Sequence, residues 1–445
     1  MKKEYLLRSF KLDKDETIVK GQGINLYTSK NKKYLDSTSG LTGTSILGFG
    51  NTKIEKSMIS QLKKISLIDY KYFLDKNREK AAKKILEKEN TKLNKFFFVG
   101  GSGGEACEAS MKMAFLYQIS KGFKNKKWFI SRKESYHGSG SDAISVGDRK
   151  NLYIYKNFYP KFRAKINEHN YYRQAKKNES ISDYVERSCK ELEDKILNLG
   201  PNNVCAFLAE TMMGGLVGDV PPGKLYWKKI KKICEKYNVL LILDEVWCGT
   251  GTSGKYFCFS WDDIYPDIVF MGKTLAAGYF PVSGLATSSK ISNSIFNYYG
   301  SIPFSTTHQG HSVGAAAVLA TQNIINNKKF LEKVNNNGAY FRNTLIQELK
   351  NHEFFHNVRG RGLRNSLEYK CKNQHNFGVA LTDFAKYEKN LLLSAKWHRA
   401  CFSIAINTDR KILDQVLEKF IFSFKKVSSN WNSKKSKNNT TRSFY

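Results

Sequence analysis

The chain has 445 residues, 41% of them hydrophobic, and a formal net charge of +33. That length supports a large core and two domains. No apolar run reaches the roughly eighteen residues of a membrane span, and "MKKEYLLRSFKLDKDE" lacks an apolar segment of signal-peptide length, so a cytoplasmic protein without a membrane partner is expected. The lysines are spread over the whole chain, which argues against a specific nucleic-acid surface. The one dense basic cluster, residues 428–445, is polar and is expected to be a disordered tail. Cys107, Cys189, Cys205, Cys234, Cys248, Cys258, Cys371 and Cys401 contain no C-x-x-C pair. They suit reduced thiols better than a disulfide framework or a zinc site.

From the N-terminus, "GINLYTSKNKKYLDSTSG" predicts short strands around polar turns. Helical spacing follows in "KIEKSMISQLKKI" and "NREKAAKKILEKE". Next, "FFFVGGSGGEACEASMKMAFLYQISKG" gives an apolar run, a glycine-rich turn and a helix. "KKWFISRKESYHG" is a strand and a turn. "VCAFLAETMMGG", "VLLILDEVWCGTG" and "PDIVFMGK" are strands with polar residues at their C-terminal ends, and "GKLYWKKIKKICEKYN" between the first two is helical. From about residue 314 a long helix, mostly unbroken, runs to "LIQEL", before "VRGRGLRNSLEYK" restarts a strand pattern. Nearly all-apolar strands alternating with helices predict an α/β fold whose parallel sheet is covered on both faces. The expected division is 1–54 as the first part of a small domain, 55–325 as a large α/β domain, and 326–427 as the rest of the small one.

Ligands of such sheets bind beyond the carboxyl ends of the strands, where Glu210, Asp244, Lys273 and the "GGSGG" turn fall. Asp244 follows "VLLIL"; a carboxylate buried there stays ionised only beside a cation, unless it merely caps a helix or pairs with an arginine. Lys273 either snorkels to water or is buried and made nucleophilic. "GGSGGEACEASMKMA" is either a tight turn or a helix N-terminus whose free N–H groups cradle a phosphate. A phosphate cradle, an imine-forming lysine and a carboxylate for a ring nitrogen are together what pyridoxal phosphate requires.

The same residues resemble the class III (ω-type) aminotransferases, of fold type I among the pyridoxal-phosphate enzymes, over about residues 20–425. The family pattern "LLIxDEVxTGFGRTGxxF … PDIxxxxKxLxxGYxP" is met by "LLILDEVWCGTGTSGKYF", "CFSWDDIY" and "PDIVFMGKTLAAGYFP". "SGGEACEASMKMA", the "YHG" of Tyr136-His137-Gly138, "THQGHSVGAAAVLA" and the "VRGRGL" of Val358 to Leu363 match further family segments. The resemblance implies a large domain with a mostly parallel seven-stranded-type sheet and a small α+β domain from both chain ends. It implies pyridoxal 5'-phosphate as cofactor, an amine or (ω-)amino acid donor and a 2-oxo acid acceptor. Lys273 would bond the cofactor and move the proton, and Asp244 would pair with the ring nitrogen. Val246 and Tyr136, next to His137, would flank the ring, and Glu210 would lie on its hydroxyl side. Ser102, Gly103 and Gly104 would hold the phosphate. Thr307 would reach the partner subunit's phosphate, implying a homodimer with shared active sites, and Arg399 would bind a substrate carboxylate. Four positions depart from the family: Thr252 for an arginine, Gly104 for a serine, Thr211 for a proline, and "FSI" for "PPL" after Arg399.

Three patterns are set aside. "HEFFH" resembles a zinc-protease motif but falls at a helix end, "GTGTSG" does not open a helix, and His308 and His311 lie in the threonine loop; no metal site is expected. Two alternatives stay open: an aminomutase or racemase of the same fold, and a catalytically silent basic scaffold or nucleic-acid binder.

Overall fold

The structure is a computed structural model and describes residues 5, 7, 16–88, 91–325 and 327–431. Among the described residues fifteen strands, numbered in chain order, form three sheets. The N-terminal strands are β1 (Ile18–Gln22), β2 (Asn25–Thr28) and β3 (Lys33–Asp36). The central sheet takes β4 (Lys95–Phe98), β5 (Trp128–Arg132), β6 (Arg163–Ile166), β7 (Val204–Glu210), β8 (Leu240–Asp244), β9 (Ile268–Met271) and β10 (Gly284–Thr287). Its order is β4-β10-β9-β8-β7-β5-β6. Only β10 runs antiparallel to its neighbours.

Why the middle strands are apolar throughout is visible in their packing. On β8, Leu241 and Leu243 join one core cluster while Leu240 and Ile242 join another. On β9, Val269 and Met271 part in the same way from Ile268 and Phe270. Period-two alternation sends successive side chains to opposite faces, and helices cover both. Tyr226, Trp227, Ile230 and Cys234 of the helix Tyr226–Lys236 pack on the first face. The helix Gly103–Ser120 covers the second with Ala106, Cys107, Met111 and Met113.

The third sheet has the order β11-β12-β15-β14 and is antiparallel throughout. Its strands are β11 (Phe355–Arg361), β12 (Arg364–Tyr369), β14 (Ser394–Lys396) and β15 (Arg399–Ser403). The remaining strand, β13 (Leu391–Leu392), crosses to the N-terminal sheet and pairs parallel with β3, Leu391 opposite Leu35. Ser37 Oγ donates to Leu392 O at 2.6 Å beside it.

Two expectations need correction. The long helix from residue 314 is two helices, Ser312–Ile325 and Lys328–Leu349. Asn327 breaks it: its extended backbone starts the second helix, and its side chain accepts from Lys329 N at 2.9 Å, as asparagine does at N-caps. The tail does not begin at 428. Helix Arg410–Ser429 passes that point, and Trp431 donates from its indole to Lys372 O at 3.0 Å while meeting Phe377 edge-on; residues 432–445 lie outside the described residues. The "HEFFH" histidines share no helix: His352 sits in a turn against Ser428 Oγ, and His356 lies on β11.

Candidate active site

In-register pairing sets Glu210 opposite Asp244, and Asp244 opposite Phe270. The three middle strands therefore end level. Asp244 lies two residues beyond Ile242, on the face covered by the helix Gly103–Ser120, and Glu210 lies two residues beyond Leu208 on that same face. Past Met271 the chain turns through Gly272 to Lys273, whose φ of 22° is in the left-handed region. A bulky residue held there is backbone strain of the kind concentrated at working sites.

Close backbone approach shapes the floor. A Cβ on Gly103 would stand 2.8 Å from Val246 Cγ1, and one on Gly138, at φ 138°, would overlap Gly104 Cα. Only glycine lets the strand ends, the helix start and the Tyr136–Gly138 turn converge so tightly. Ser102 and Glu105 form a capping box: Ser102 Oγ accepts from Glu105 N at 3.2 Å, and Glu105 Oε2 accepts from Ser102 N at 2.8 Å. The Ser102 hydroxyl is thus committed to its own helix. The N–H groups of Gly103 and Gly104 donate to nothing among the described residues, so an anion there would meet two free donors and the positive end of an 18-residue helix.

Ser102, Gly103, Gly104, Tyr136, His137, Glu210, Asp244, Val246, Lys273 and Arg399 all line one cavity of about 1440 Å³. Asp244 Oδ1 accepts from Val246 N at 2.8 Å, and Oδ2 lies 2.7 Å from His137 Nδ1. Tyr136 contacts Ser139 Oγ at 3.1 Å, and the Arg149 guanidinium lies 5.3 Å from its ring centre. Burial, with Asp244 adding, pushes the Glu210 carboxyl up to about 8, against the pull of Arg132. Burial also pushes the Lys273 amine down; Arg364 and Arg149 push the same way, opposed by Asp244 and Glu210. Arg399, 3% exposed, donates from Nε to Gly215 O at 2.7 Å and also from Nη2, while its buried Nη1 has no partner. Thr307 alone among the predicted residues lies outside the cavity, in an exposed turn.

Sequence reasoning missed the group behind Lys273. The Trp247 indole N–H donates to Asp219 Oδ1 at 2.6 Å, and the Arg364 guanidinium stacks 4.1 Å from the ring centre. Arg364 Nε also donates to Trp247 O at 2.9 Å, and Nη2 to Gly43 O at 2.8 Å. Lys273 Nζ stands 5.1 Å over the Trp247 ring. Trp247 could have been found, since it follows Val246 directly in the signature. Arg364 and Asp219 had no local signal, because β12 and the loop after β7 bring them in. Thr252, in place of the family's arginine, is buried and donates to Gly249 O at 2.9 Å.

The site fits a pyridoxal-phosphate cofactor: two free donors lie at a helix N-terminus, and the carboxylate at the strand end is oriented by histidine. The class III aminotransferase family matches residues 12–403, and the chain belongs to it. It is a transaminase with a fold type I architecture, and pyridoxal phosphate is its cofactor. It is 31% identical over 354 residues to the putrescine–pyruvate aminotransferase of Pseudomonas aeruginosa, covering 79% of this chain and 76% of that protein. The diaminobutyrate–2-oxoglutarate transaminase of Halomonas elongata is also 31% identical, over 79% of this chain and 76% of its own length. Among solved structures, the ω-transaminase of Pseudomonas jessenii in complex with PMP superposes with a TM-score of 0.90 at 26% identity, over 96% of this chain and 97% of that one. Among the described residues no helix is long and apolar enough to cross a membrane.

Proposed function

We propose that the chain moves an amino group from an amine or ω-amino acid to a 2-oxo acid, working through Lys273. The observation that carries this is the strained, half-buried Lys273 just past the end of β9, which shares one cavity with Asp244 and the glycine cradle. The bound cofactor supplies an electron sink. Asp244, held by Val246 N and His137, is placed to keep a ring nitrogen protonated. Gly103 and Gly104 N–H groups would hold the phosphate, and Val246 and Tyr136 would confine the ring. Lys273, its amine made easier to deprotonate by burial, would be the residue that bonds the cofactor, and its amine is placed to take and return a proton at the carbon that carries the amino group. Glu210, neutral near neutral pH, can donate to an oxygen on its side of the site. Arg399 offers its free Nη1 to a substrate carboxylate.

Borohydride reduction followed by peptide mapping tests this directly: the label is expected on Lys273, and label elsewhere overturns the assignment. Donor alone should convert the bound cofactor fully to its amine form, which a racemase or aminomutase would not accumulate.

The active unit is a homodimer on this reading. The turn carrying Thr307 is fixed by Thr306 Oγ1 donating to Val99 O at 2.8 Å, by Tyr70 on Gln309 at 2.9 Å, and by Arg78 on Gly310 O. Nearby in sequence, Tyr72, Phe73 and Leu74 are exposed, Leu74 by 90%, an apolar patch that a partner would cover. Sedimentation of the active species as a monomer would refute it. Eight free cysteines accord with a cytoplasmic, reducing location; secretion of the active protein would contradict that.

A further inference from the structure

Behind Lys273 the indole of Trp247 is clamped. A Cβ on Gly43, at φ 73°, would overlap Trp247 Cζ3, and one on Gly214 would stand 3.2 Å from Cδ1. The ring therefore lies in a slot that two glycines leave open. Its N–H donates to Asp219 Oδ1 at 2.6 Å, while Ser366 Oγ donates to Asp219 Oδ2 at 2.6 Å. Arg364, 1% exposed, stacks 4.1 Å from the ring centre and donates to the Trp247 and Gly43 carbonyls. The clamp carries little net charge. Arg364 and the buried Asp219 offset one another, and Arg359, which also acts on Asp219, is paired with Glu368.

Over this ring stands Lys273, with Nζ 5.1 Å from the ring centre, inside the range of a cation–π contact. Burial most strongly, then Arg364 and Arg149, disfavours a proton on that amine; Asp244 and Glu210 favour one. Both carboxylates are weak counter-charges in the working site. Asp244 is held by Val246 N and His137, and in the function proposed above it serves a ring nitrogen. Glu210, pushed up to about 8, is mostly neutral at neutral pH. An amine that takes a proton must hold the charge until it gives the proton back. The indole face is the group left to receive it.

We propose that Trp247 is a positioning residue for the proton transfer: its ring face receives the protonated Lys273 amine, and Gly43, Gly214, Asp219 and Arg364 keep that face beneath it. This role rests on the aminotransferase reading, in which Lys273 moves the proton. A ring so held would steady the amine between its two proton-transfer positions and partly offset the effect of burial.

The test replaces Trp247 in the full chain with progressively fluorinated tryptophans, which drain electrons from the ring face and nearly keep its shape. The enzyme is loaded with pyridoxamine phosphate, which leaves Lys273 unbonded. Trace acetylation with peptide mapping then reads the proton affinity of that amine. At a fixed neutral pH Lys273 should label faster with each added fluorine, by about three- to tenfold over the series. Trp247→Phe, which keeps a ring face, should label closer to the unaltered rate. Trp247→Met, which fills the slot without a ring, should label as fast as the most fluorinated protein. Labelling that ignores fluorination, or a phenylalanine variant as fast as the methionine variant, overturns the proposal. If the methionine variant does not fold, the fluorinated series decides. A graded response in an enzyme that aminates no 2-oxo acid would keep the ring contact and remove the aminotransferase reading. A flat response in an active aminotransferase would remove the contact alone.

Discussion

The floor of the cavity and the wall facing it hold their groups in different ways. On the floor, backbone does the positioning: strands end level, Gly103 and Gly138 let main chains touch, and a capping box fixes the helix start. The wall is held by side chains. Arg359 spans from β11 to Val217 O and Gly218 O, Arg364 from β12 to Gly43 O and Trp247 O, and Arg399 from β15 to Gly215 O. Each of these arginines ties the third sheet to a loop of another part of the chain. A floor built of backbone fixes the chemistry that every substrate shares, whereas a wall of long side chains can be altered one residue at a time. Conserved chemistry and divergent substrate choice in one cavity are what such a division permits.

Three substitutions probe that contrast. The largest effect is expected on the floor. Asp244→Asn leaves the shape and removes the charge, so turnover should fall by about two to four orders of magnitude, as when comparable active-site contacts are lost, with cofactor still bound. Steady-state rates and the protein-bound cofactor absorbance check both halves; a near-native rate would remove Asp244 from its role.

On the wall the expected loss is of stability. Arg359 and Glu368 are each nearly fully buried and 2.5 Å apart, and removing one partner of such a pair costs about 3–5 kcal/mol. Arg359→Met should lower the midpoint of denaturant unfolding accordingly and loosen the loop 213–220. If the midpoint hardly moves, the wall does not depend on its ion pairs.

The smallest effect separates the two regions by pH. Glu210 has its folded-state pKa raised to about 8 from an ordinary 4.5, chiefly by burial. Protonation therefore favours the folded form: the contribution is complete below about 4.5 and is lost as pH rises through about 8. Glu210→Gln cofactor-free protein should match the unaltered protein at low pH and gain on it, by on the order of 1–3 kcal/mol, toward pH 9. Unfolding midpoints at several pH values would show a constant difference if Glu210 is ionised throughout.

The floor was legible in the sequence for a physical reason. A buried parallel strand announces itself as an apolar run, and the first charged residue after it marks the strand's end, as Asp244 and Lys273 do. The glycines of "GGSGG" and "YHG" stand where side chains would collide. The wall was not legible, because its meaning is in the register. Nothing local tells that Lys396 faces Arg399, or that Arg364 reaches Trp247; both depend on how hairpins pair. Arg399 was placed only through the family resemblance, with no sign of its tie to Gly215 O. The helix from 314 was misjudged because its apolar spacing continues across "NIINNKKF", and the capping strength of Asn327 outweighs that continuity.

The strand β13 carries a consequence for how the chain is made. β3 finds its edge partner only at Leu391 and Leu392, and Ser37 waits for a carbonyl 355 residues further on. At about 5–20 residues per second of synthesis, the first sheet stays incomplete on the ribosome for roughly 20–70 s. During that interval, which spans most of the synthesis of the chain, the nascent edge of β3 is open to other strands, so a chaperone would matter to this protein until Leu392 has been made.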